Sequence, residues 1–423
     1  MNRSSRLSLL RDTLTMVLAG GQGERLYPLT KDRAKPAVPF GGIYRIIDFT
    51  LSNCVNSGIR KILILTQYKS SSLDRHIAHG WSIFRSELGE FIYTVPPQFR
   101  SSRNWYLGTA DAIYQNIYHL QQERPERVLI LSGDHVYKMD YGKMIEFHEE
   151  KEADLTIGAV EVEKEGASSL GVMEVDDEGR VIGFQEKPET PKTLPSDPTK
   201  SFVSMGIYVF RTEELVRAVV EDAKTDSAHD FGKNVIPRMI RPKRVFAYRF
   251  EDENKKEVPY WRDIGFIDTY WETNMDLVQV SPIFNLYDRS WPIRTYQQQY
   301  PPVKTVFAQE GGRMGVAVDS LVSSGSIISG GRVERSILSP GVHIHSYASV
   351  SESILMDDVE VGRYAKIRKT IIDKRVYVPE HFEIGYDLAQ DRRRFTVSPG
   401  GVVVVPKEMA LKSVSRSKIR ETA

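Results

Sequence analysis

The sequence is poor in cysteine, since Cys54 is the only one among 423 residues. A single thiol excludes an intrachain disulfide and excludes a metal site built from several cysteines. Histidine is also sparse, and the 9 histidines show no H-x-x-x-H spacing. We therefore do not expect a zinc site.

Long apolar runs and an excess of charge of one sign are absent as well. No apolar stretch reaches the length of a membrane-spanning helix, and no signal peptide is visible at the N-terminus, so we expect a cytoplasmic protein. The net charge is +1, from 57 basic and 56 acidic residues, which predicts no bulk attraction to nucleic acid or membrane. A hydrophobic content of 41% over this length predicts two or three domains with well-filled cores.

The most informative segment that is present is a glycine-rich loop that follows an apolar run, Thr13 to Ala19. A buried strand that leads into such a loop lets backbone N–H groups wrap a polyphosphate, and Arg25 and Lys35 can add full charges. The loop matches neither the dinucleotide fingerprint nor the P-loop. For the glycines alone, a tight turn without a ligand stays open as the alternative. The segment reads Leu18-Ala19-Gly20-Gly21-Gln22-Gly23-Glu24-Arg25-Leu26, and Lys35-Pro36 follows.

Strand-like and helix-like patterns alternate up to about Val280. This alternation predicts a mostly parallel sheet covered by helices, with ligands beyond the carboxyl ends of the strands. Asp134 follows one apolar run and could hold Mg²⁺ opposite a triphosphate loop, although capping a helix would explain it equally well. Asp263 is the best second carboxylate. The strand candidates are 62–65, 128–131, 155–160 and 205–210, and 112–120 has helical spacing.

The pattern changes in the last quarter of the chain. Residues 281–312 are rich in proline, end in Gly311-Gly312 and are predicted to be a connector. Beyond them four aliphatic columns recur every 17 residues over three turns, which predicts a β-helix, with a β-sandwich as the alternative. His343 and His345 are expected at the surface of its turns. The columns are 337/354/371, 342/359/376, 344/361/378 and 350/367/384.

Together with further segments, these motifs resemble the nucleotidyltransferases that make sugar nucleotides, and most closely the bacterial ADP-glucose pyrophosphorylases. The resemblance extends from Leu14 through the β-helix to Arg394-Phe395. The glycine loop and Glu186-Lys187-Pro188 are shared by many sugar-nucleotide enzymes. The segments that narrow the resemblance to the ADP-glucose branch are Arg33-Ala34-Lys35-Pro36-Ala37, Trp105-Tyr106 and Tyr260-Trp261-Arg262-Asp263.

The resemblance implies a fold and a reaction. The fold is α/β: a mixed, mostly parallel, Rossmann-like nucleotidyltransferase sheet with helices on both faces over 1–280, then a left-handed parallel β-helix over 313–423. The reaction is ATP plus α-D-glucose 1-phosphate giving ADP-glucose plus diphosphate, for glycogen or α-glucan synthesis. The sugar phosphate oxygen attacks the α-phosphorus in line, so catalysis rests on positioning and charge neutralisation.

It also implies the site residues, which fall into three overlapping groups. From the residues alone, Glu186 and Lys187 would more often be a solvated pair, and Asp230 would be the entry of a helix. The implied catalytic residues are Arg25 and Lys35 on the diphosphate, Lys187 on the sugar phosphate, and Asp134 and Asp263 on Mg²⁺. The implied glucose 1-phosphate residues are Tyr106, Glu186, Lys187, Ser204, Asp230 and Trp261. The implied nucleotide residues are Leu18, Ala19, Gly20, Gly21, Gly23, Arg25, Lys35, Gly108, Thr109 and Asp134.

Regulation and assembly are implied in the same way. Members of the family are commonly homotetramers that a sugar phosphate or pyruvate activates and that AMP, ADP or phosphate inhibits. Asp32 stands where members activated by fructose 1,6-bisphosphate have a lysine, so the identity of the activator stays open. The implied anion-binding residues are Arg33, Arg45, Arg393 and Arg394.

Three other readings are open at this stage. The nearest is a pyrophosphorylase for another nucleotide, UTP, dTTP or GTP. A second is a non-catalytic regulatory subunit, against which the intact Asp134, Lys187 and Asp263 argue. A third is a hexapeptide acyltransferase, which would leave the N-terminal half of the chain unexplained.

Overall fold

The computed structural model describes residues 3–98, 105–309 and 313–411, so Gly311 and Gly312 at the predicted end of the connector lie outside the described residues. The chain divides into two compact units, each assembled from separate stretches of sequence. The first holds the residues up to Gly21, Ile47–Trp261 and Asp288–Ile293. The second holds Gln22–Ile46, Arg262–Tyr287 and the residues from Arg294 onward. The domain limits expected from the sequence stay a prediction.

The first unit is built on a nine-stranded mixed sheet. The strands are β1 (Thr13–Ala19), β2 (Lys61–Thr66), β3 (Phe91–Val95), β4 (Arg127–Ser132), β5 (Leu155–Glu163), β6 (Gly171–Val175), β7 (Val181–Glu186), β8 (Lys200–Arg211) and β9 (Val245–Arg249). Their order in the sheet is β7-β6-β8-β4-β1-β2-β3, and β5 pairs with both β8 and β9. Strands β4, β1, β2 and β3 run parallel to one another, whereas the long β8 is antiparallel to β4, β5 and β6.

All four strand segments predicted in this region lie inside observed strands, and their apolar side chains are buried. Some of these side chains, among them Leu63, Val128 and Leu155, belong to one core cluster. The helix expected over 112–120 is instead two helices, Thr109–Tyr114 and Ile117–Glu123. The break falls at Asn116, whose backbone has φ −109° and ψ 12°. Its side-chain amide donates hydrogen bonds to the Ala112 carbonyl at 2.8 Å and to the Tyr106 hydroxyl at 2.9 Å. Such side-chain bonds compete with regular helix geometry.

The remaining helices of the first unit connect and cover these strands. The helix Ile46–Ser57 contains Cys54, which is buried, and burial raises the pKa of its thiol. The α-helices other than the two just given are Arg3–Arg11, Ile46–Ser57, Ser71–Gly80, Tyr141–Glu150, Lys164–Ala167, Thr212–Asp222 and Ile236–Met239. Ser86–Leu88 is a 3₁₀ turn, Phe231–Val235 is a π-helical turn, and His135–Tyr137 is a short strand. Trp261–Asp263 is also a short strand, of which Arg262 and Asp263 belong to the second unit.

The second unit contains a parallel β-helix, as the 17-residue period predicts. Each coil supplies one short strand to each of three columns, and all four aliphatic columns found in the sequence are buried. The first column is Lys304–Val306, Ile327–Ser329, His343–Ile344, Glu360–Val361 and Tyr377–Val378. The second is Val316–Val318, Arg332–Glu334, Ser349–Ser351, Lys366–Arg368 and Glu383–Ile384. The third is Leu321–Val322, Ile337–Leu338, Ile354–Leu355, Thr370–Ile372 and Val403–Val405, against which Thr396–Val397 pairs antiparallel.

The β-helix has more coils than the three turns found in the sequence. Its first strand, at Lys304, already lies within the predicted connector. The spacing from Lys304 to Ile327 is 23 residues and that from Ile327 to His343 is 16, so a search at a period of 17 does not align them.

Other segments of the second unit are short. A hairpin joins Pro39–Phe40 to Tyr44–Arg45, and its turn residues Gly41 and Gly42 have positive φ. The helices here are Ile267–Met275 and Leu388–Asp391, with 3₁₀ turns at Glu24–Leu26, Lys35–Ala37 and Asp276–Val278. In the part of the chain that the structure describes, no helix combines the length and apolarity needed to cross a membrane.

Candidate active site

The glycine loop and the segment that carries Asp134 follow two neighbouring strands of the first unit's sheet, β1 and β4. Strand β1 pairs in parallel with β4, with Leu18 opposite Ser132. The Gly133 amide then donates a hydrogen bond to the Leu18 carbonyl at 3.1 Å. Gly20 and Gly21, which follow β1, are therefore held beside the loop that carries Asp134. This is the edge of a parallel sheet where ligands bind.

Packing explains two of the glycines at this edge but not a third. A Cβ on Gly20 would lie 3.1 Å from the Gln67 Cβ, and one on Gly133 would lie 3.2 Å from the Leu18 carbonyl oxygen. A Cβ on Gly21 would meet no atom within 4 Å. Packing therefore does not require glycine at position 21. A phosphate that approaches the backbone closely would require it.

Asp134 is held at the strand end by its nearest neighbours. Its carboxylate accepts a hydrogen bond from the Ser132 hydroxyl, and the His135 Nε2 lies 3.5 Å from its Oδ1. The His135 ring in turn packs edge-on against Trp261, with the ring centroids 5.2 Å apart. A half-buried carboxylate in this position offers the oxygen donors that Mg²⁺ prefers.

A second group of predicted residues meets where β7 ends. The Lys187 Nζ lies 3.3 Å from the Glu186 Oε1, so this pair is in contact. Burial raises the pKa of Glu186, and the negative charge of Asp230 adds to the rise while Lys187 opposes it. A Cβ on Gly232 would lie only 2.3 Å from the Glu186 Oε2, so the absence of a side chain there makes room for this carboxylate.

Asp230 caps the helical turn that follows it, in agreement with the prediction from the residues alone that it begins a helix. Its Oδ1 accepts from the Lys233 amide at 3.1 Å, and its Oδ2 accepts from the Thr109 hydroxyl at 3.1 Å. The Thr109 Oγ1 accepts from the Phe231 amide at 3.0 Å. The structure thus joins two predicted site residues, Thr109 and Asp230, that are distant in sequence.

Backbone packing holds the segment around Gly108 in place. A Cβ on Gly108 would lie 2.3 Å from the carbonyl oxygens of both Ala228 and His229, so only glycine fits. The Tyr106 amide donates to the Gln67 Oε1 at 2.7 Å. Burial also raises the pKa of the Tyr106 hydroxyl, which keeps it a neutral hydrogen-bonding group.

Tyr208, which belongs to the segment Ser204-Met205-Gly206-Ile207-Tyr208 and has no predicted role, lies beside Ser204. Its hydroxyl lies 3.5 Å from the Ser204 Oγ, which also accepts a hydrogen bond from the Gly206 amide at 3.2 Å. Burial raises the pKa of Tyr208, with smaller contributions from the charges of Glu186 and Asp230. The spacing of Ser204, Gly206 and Tyr208 in an apolar strand is the signal that could have identified it.

In the second unit, Lys35 is paired with Asp263. Lys35 is buried in the short turn that begins there, and its Nζ lies 3.4 Å from the Asp263 Oδ1. The Arg25 guanidinium lies 4.6 Å from the centroid of the Phe266 ring. Gly23 adopts φ 66°, where glycine is favoured, and its carbonyl accepts from the Thr30 hydroxyl at 2.9 Å.

The four predicted anion-binding arginines differ in their surroundings. Arg33 is buried and donates to both carboxylate oxygens of Asp373, at 2.8 and 3.0 Å. Arg394 lies 3.4 Å from Asp391 and stacks on two phenylalanine rings, whereas Arg393 is exposed. Arg45 donates to the Ala37 carbonyl at 2.7 Å.

Lys374, a residue for which the sequence predicts no role, is affected by the charge of Arg45. Burial and, second to it, the positive charge of Arg45 lower the pKa of Lys374 to about 8, while Asp357 opposes the shift. Arg45 and Lys374 are therefore within electrostatic range of each other in the second unit. The sequence gives no signal for the pairing, because the two residues are far apart in the chain.

Comparison with known proteins identifies both parts of the chain. The nucleotidyl transferase family model matches residues 14–280, and the model described as GlmU-like, C-terminal hexapeptide matches residues 301–405. A protein from Koribacter versatilis is 53% identical over 403 residues, covering 95% of this chain and 96% of its own. One from Rhodopirellula baltica is 56% identical over 413 residues, covering 96% and 93%. One from Saccharophagus degradans is 55% identical over 404 residues, covering 95% of each chain. All three are named glucose-1-phosphate adenylyltransferase.

Proposed function

Because the chain belongs to the glucose-1-phosphate adenylyltransferases, we propose that the residues described above carry out that reaction. The enzyme is a nucleotidyltransferase that joins ATP and glucose 1-phosphate to give ADP-glucose and diphosphate. The observation that carries the assignment of residues is the pairing of Leu18 with Ser132, which brings the glycine loop and Asp134 to one sheet edge.

The nucleotide is proposed to lie along this edge. Backbone amides of Gly20 and Gly21 bind its phosphates, and the segment from Tyr106 to Thr109 lies beside it. Arg25 and Lys35 stabilise the negative charge that develops on the departing diphosphate. Lys35 is suited to this role because its ammonium already faces a carboxylate, Asp263, within the second unit. Fixed charges of this kind stabilise a transition state without reorganising during the reaction.

Glucose 1-phosphate is proposed to bind at the Glu186 cluster. Lys187 holds its phosphate, while Glu186 and Asp230 accept hydrogen bonds from the sugar hydroxyls. Ser204 and Trp261 complete the surroundings of the ring. These groups place a phosphate oxygen of the sugar in line with the α-phosphorus of ATP, and orientation of this kind lowers the barrier without a covalent intermediate.

Nucleotidyltransferases of this type use a divalent metal, and we propose that it is Mg²⁺ held by Asp134 and Asp263. The fit rests on donor chemistry, because both residues offer carboxylate oxygens, the ligands Mg²⁺ prefers. When bound, the ion neutralises charge on the phosphates. A role in glycogen or α-glucan synthesis, a homotetrameric assembly and regulation by metabolites belong to the same proposal.

One assay tests the substrate assignment. Diphosphate release is measured with glucose 1-phosphate and, in turn, ATP, UTP, dTTP and GTP. We expect turnover with ATP to exceed that with each other nucleotide. Preference for another nucleotide would contradict the assignment, and no release with any of the four would point to a regulatory subunit.

A further inference from the structure

Two histidines and a glutamate form a cluster on two successive coils of the β-helix. His343 lies on one strand, His345 follows directly after it, and Glu360 lies on the next strand of the same column. The parallel register pairs His343 with Glu360. The two imidazole rings are stacked, with centroids 4.0 Å apart and an interplanar angle of 29°.

The donor atoms of these three side chains converge. One nitrogen of each histidine and one carboxylate oxygen of Glu360 all lie within 4.8 Å of one another. The closest pair is the His345 Nε2 and the Glu360 Oε1, at 2.7 Å. In a tetrahedral zinc site with bonds of about 2.0–2.1 Å, neighbouring donor atoms are about 3.3 Å apart. Small side-chain rotations would therefore bring all three donors into binding distance.

We propose that His343, His345 and Glu360 bind a divalent transition-metal ion such as Zn²⁺. Two imidazole nitrogens and one carboxylate are a donor set that zinc accepts, with a fourth position left for water. Mg²⁺ prefers oxygen donors, so this site is chemically distinct from one built from aspartates. The spacing His-x-His belongs to a strand, where alternate residues share a face, and a search for helical H-x-x-x-H spacing does not detect it.

His343 is the residue that distinguishes this site from a simple polar contact. A hydrogen bond between His345 and Glu360 would need no third donor, whereas a metal site does. The ligands also belong to different coils, His343 and His345 to one and Glu360 to the next. A bound ion would therefore link two coils and resist their separation.

The test is calorimetric titration of the full-length protein with Zn²⁺ in the presence of excess Mg²⁺. Wild type is compared with His343→Asn and Glu360→Gln. The matched controls are His381→Asn, an exposed histidine that stacks on Tyr364, and Glu383→Gln, a glutamate paired with Lys366 on another column. Zinc binding elsewhere contributes equally to all five proteins, so the difference between them reports on this cluster.

We expect one Zn²⁺ per chain to bind wild type and both controls. Loss of a group that only orients a metal ligand costs about 10- to 100-fold in affinity, so loss of a ligand itself should cost about 100-fold or more. A thermal melt adds a second readout: Zn²⁺ should raise the melting temperature of wild type and not that of His343→Asn. Equal binding by wild type and His343→Asn, or equal losses in the control variants, would overturn the proposal.

Discussion

The carboxylate of Asp134 is the residue on which turnover should depend most. Asp134→Asn keeps the shape of the side chain and removes its charge, so folding should be retained. Losing several kcal/mol of charge stabilisation, at about 1.4 kcal/mol per tenfold, predicts a decrease in kcat of about a thousandfold. Steady-state kinetics measures the effect, with the exposed Asp177→Asn as the control. A kcat within about tenfold of wild type would contradict a metal-binding role.

Gly232 tests the placement of glucose 1-phosphate independently of any charged residue. Gly232→Ala adds a methyl group 2.3 Å from the Glu186 Oε2 and so displaces that carboxylate. A lost hydrogen bond to a charged group costs about 1.5–3 kcal/mol. The KM for glucose 1-phosphate should therefore rise about 10- to 100-fold, while that for ATP changes little.

The control is Gly166→Ala, because a Cβ there would meet no atom within 4 Å. If the KM for ATP rises instead, Glu186 has been assigned to the wrong substrate.

At this scale the sequence supplies motif residues but not their partners. The position of Asp134 and of the glycines at strand ends could be predicted, because they follow apolar runs of strand length. The bond between Thr109 and Asp230, and the proximity of Lys374 to Arg45, could not. These contacts depend on how distant segments pack, and local residue patterns carry no information about that.

At the scale of the element, the buried columns of the β-helix should control its stability. Ile367 belongs to the column 350/367/384 and is fully buried. Ile367→Ala removes methyl groups from a close-packed core, which typically costs about 2–5 kcal/mol. Denaturant unfolding followed by circular dichroism measures the loss in the free energy of unfolding.

The matched control is the neighbouring exposed residue, Lys366. Its ion pair with Glu383 lies at the surface, where solvent screens the attraction and such pairs contribute little to stability. Lys366→Ala should therefore change stability far less than Ile367→Ala. Similar losses in the two variants would show that the column is not the core of this element.

The β-helix also shows why a search for a fixed repeat finds only some of its coils. The middle coils keep a spacing of 17 residues, since each strand must stack directly on the last, and the sequence reveals them. The earlier coils have spacings of 23 and 16. In the last coil, the helix Leu388–Asp391 and strand Thr396–Val397 separate Thr370–Ile372 from Val403–Val405. Turns between strands can lengthen without disturbing the stacking, so a fixed period underestimates the number of coils.

At the scale of the whole molecule, the proposed regulation by anions should depend on pH. Among the implied anion-binding residues we assign the anion to Arg45, together with Lys374, whose pKa the charge of Arg45 lowers. Lys374 has a pKa of about 8, and only its protonated form attracts an anion. The concentration of activator needed for half-maximal effect should therefore rise several-fold between about pH 7 and about pH 9, where an ordinary lysine stays charged.

Activation curves at several pH values, on wild type and Arg45→Ala, measure this. Arg45→Ala should weaken activation at every pH. It should also raise the pKa of Lys374, since the Arg45 charge lowers it, and so move the pH dependence upward. Activation that is undiminished in Arg45→Ala would place the effector elsewhere. Asp32 repels anions, so fructose 1,6-bisphosphate should activate less well than a singly phosphorylated sugar or pyruvate, and Asp32→Lys should improve its effect.

The same lysine affects folding. Its pKa in the folded chain, about 8, lies below its ordinary value of 10.5, so the unfolded chain binds more protons between these values. Its contribution to stability therefore rises with pH across that window and is least favourable below it.

Because Cys54 is the only cysteine in the chain, its reaction with a thiol reagent can be used to follow local unfolding. Its thiol is buried in the first unit, and burial raises its pKa, so an alkylating reagent reacts only when that unit opens. The second unit contributes no cysteine, since the chain has only one. The rate at which Cys54 is labelled in the native state, followed by mass spectrometry, therefore reports on the opening of the first unit, with no engineered probe.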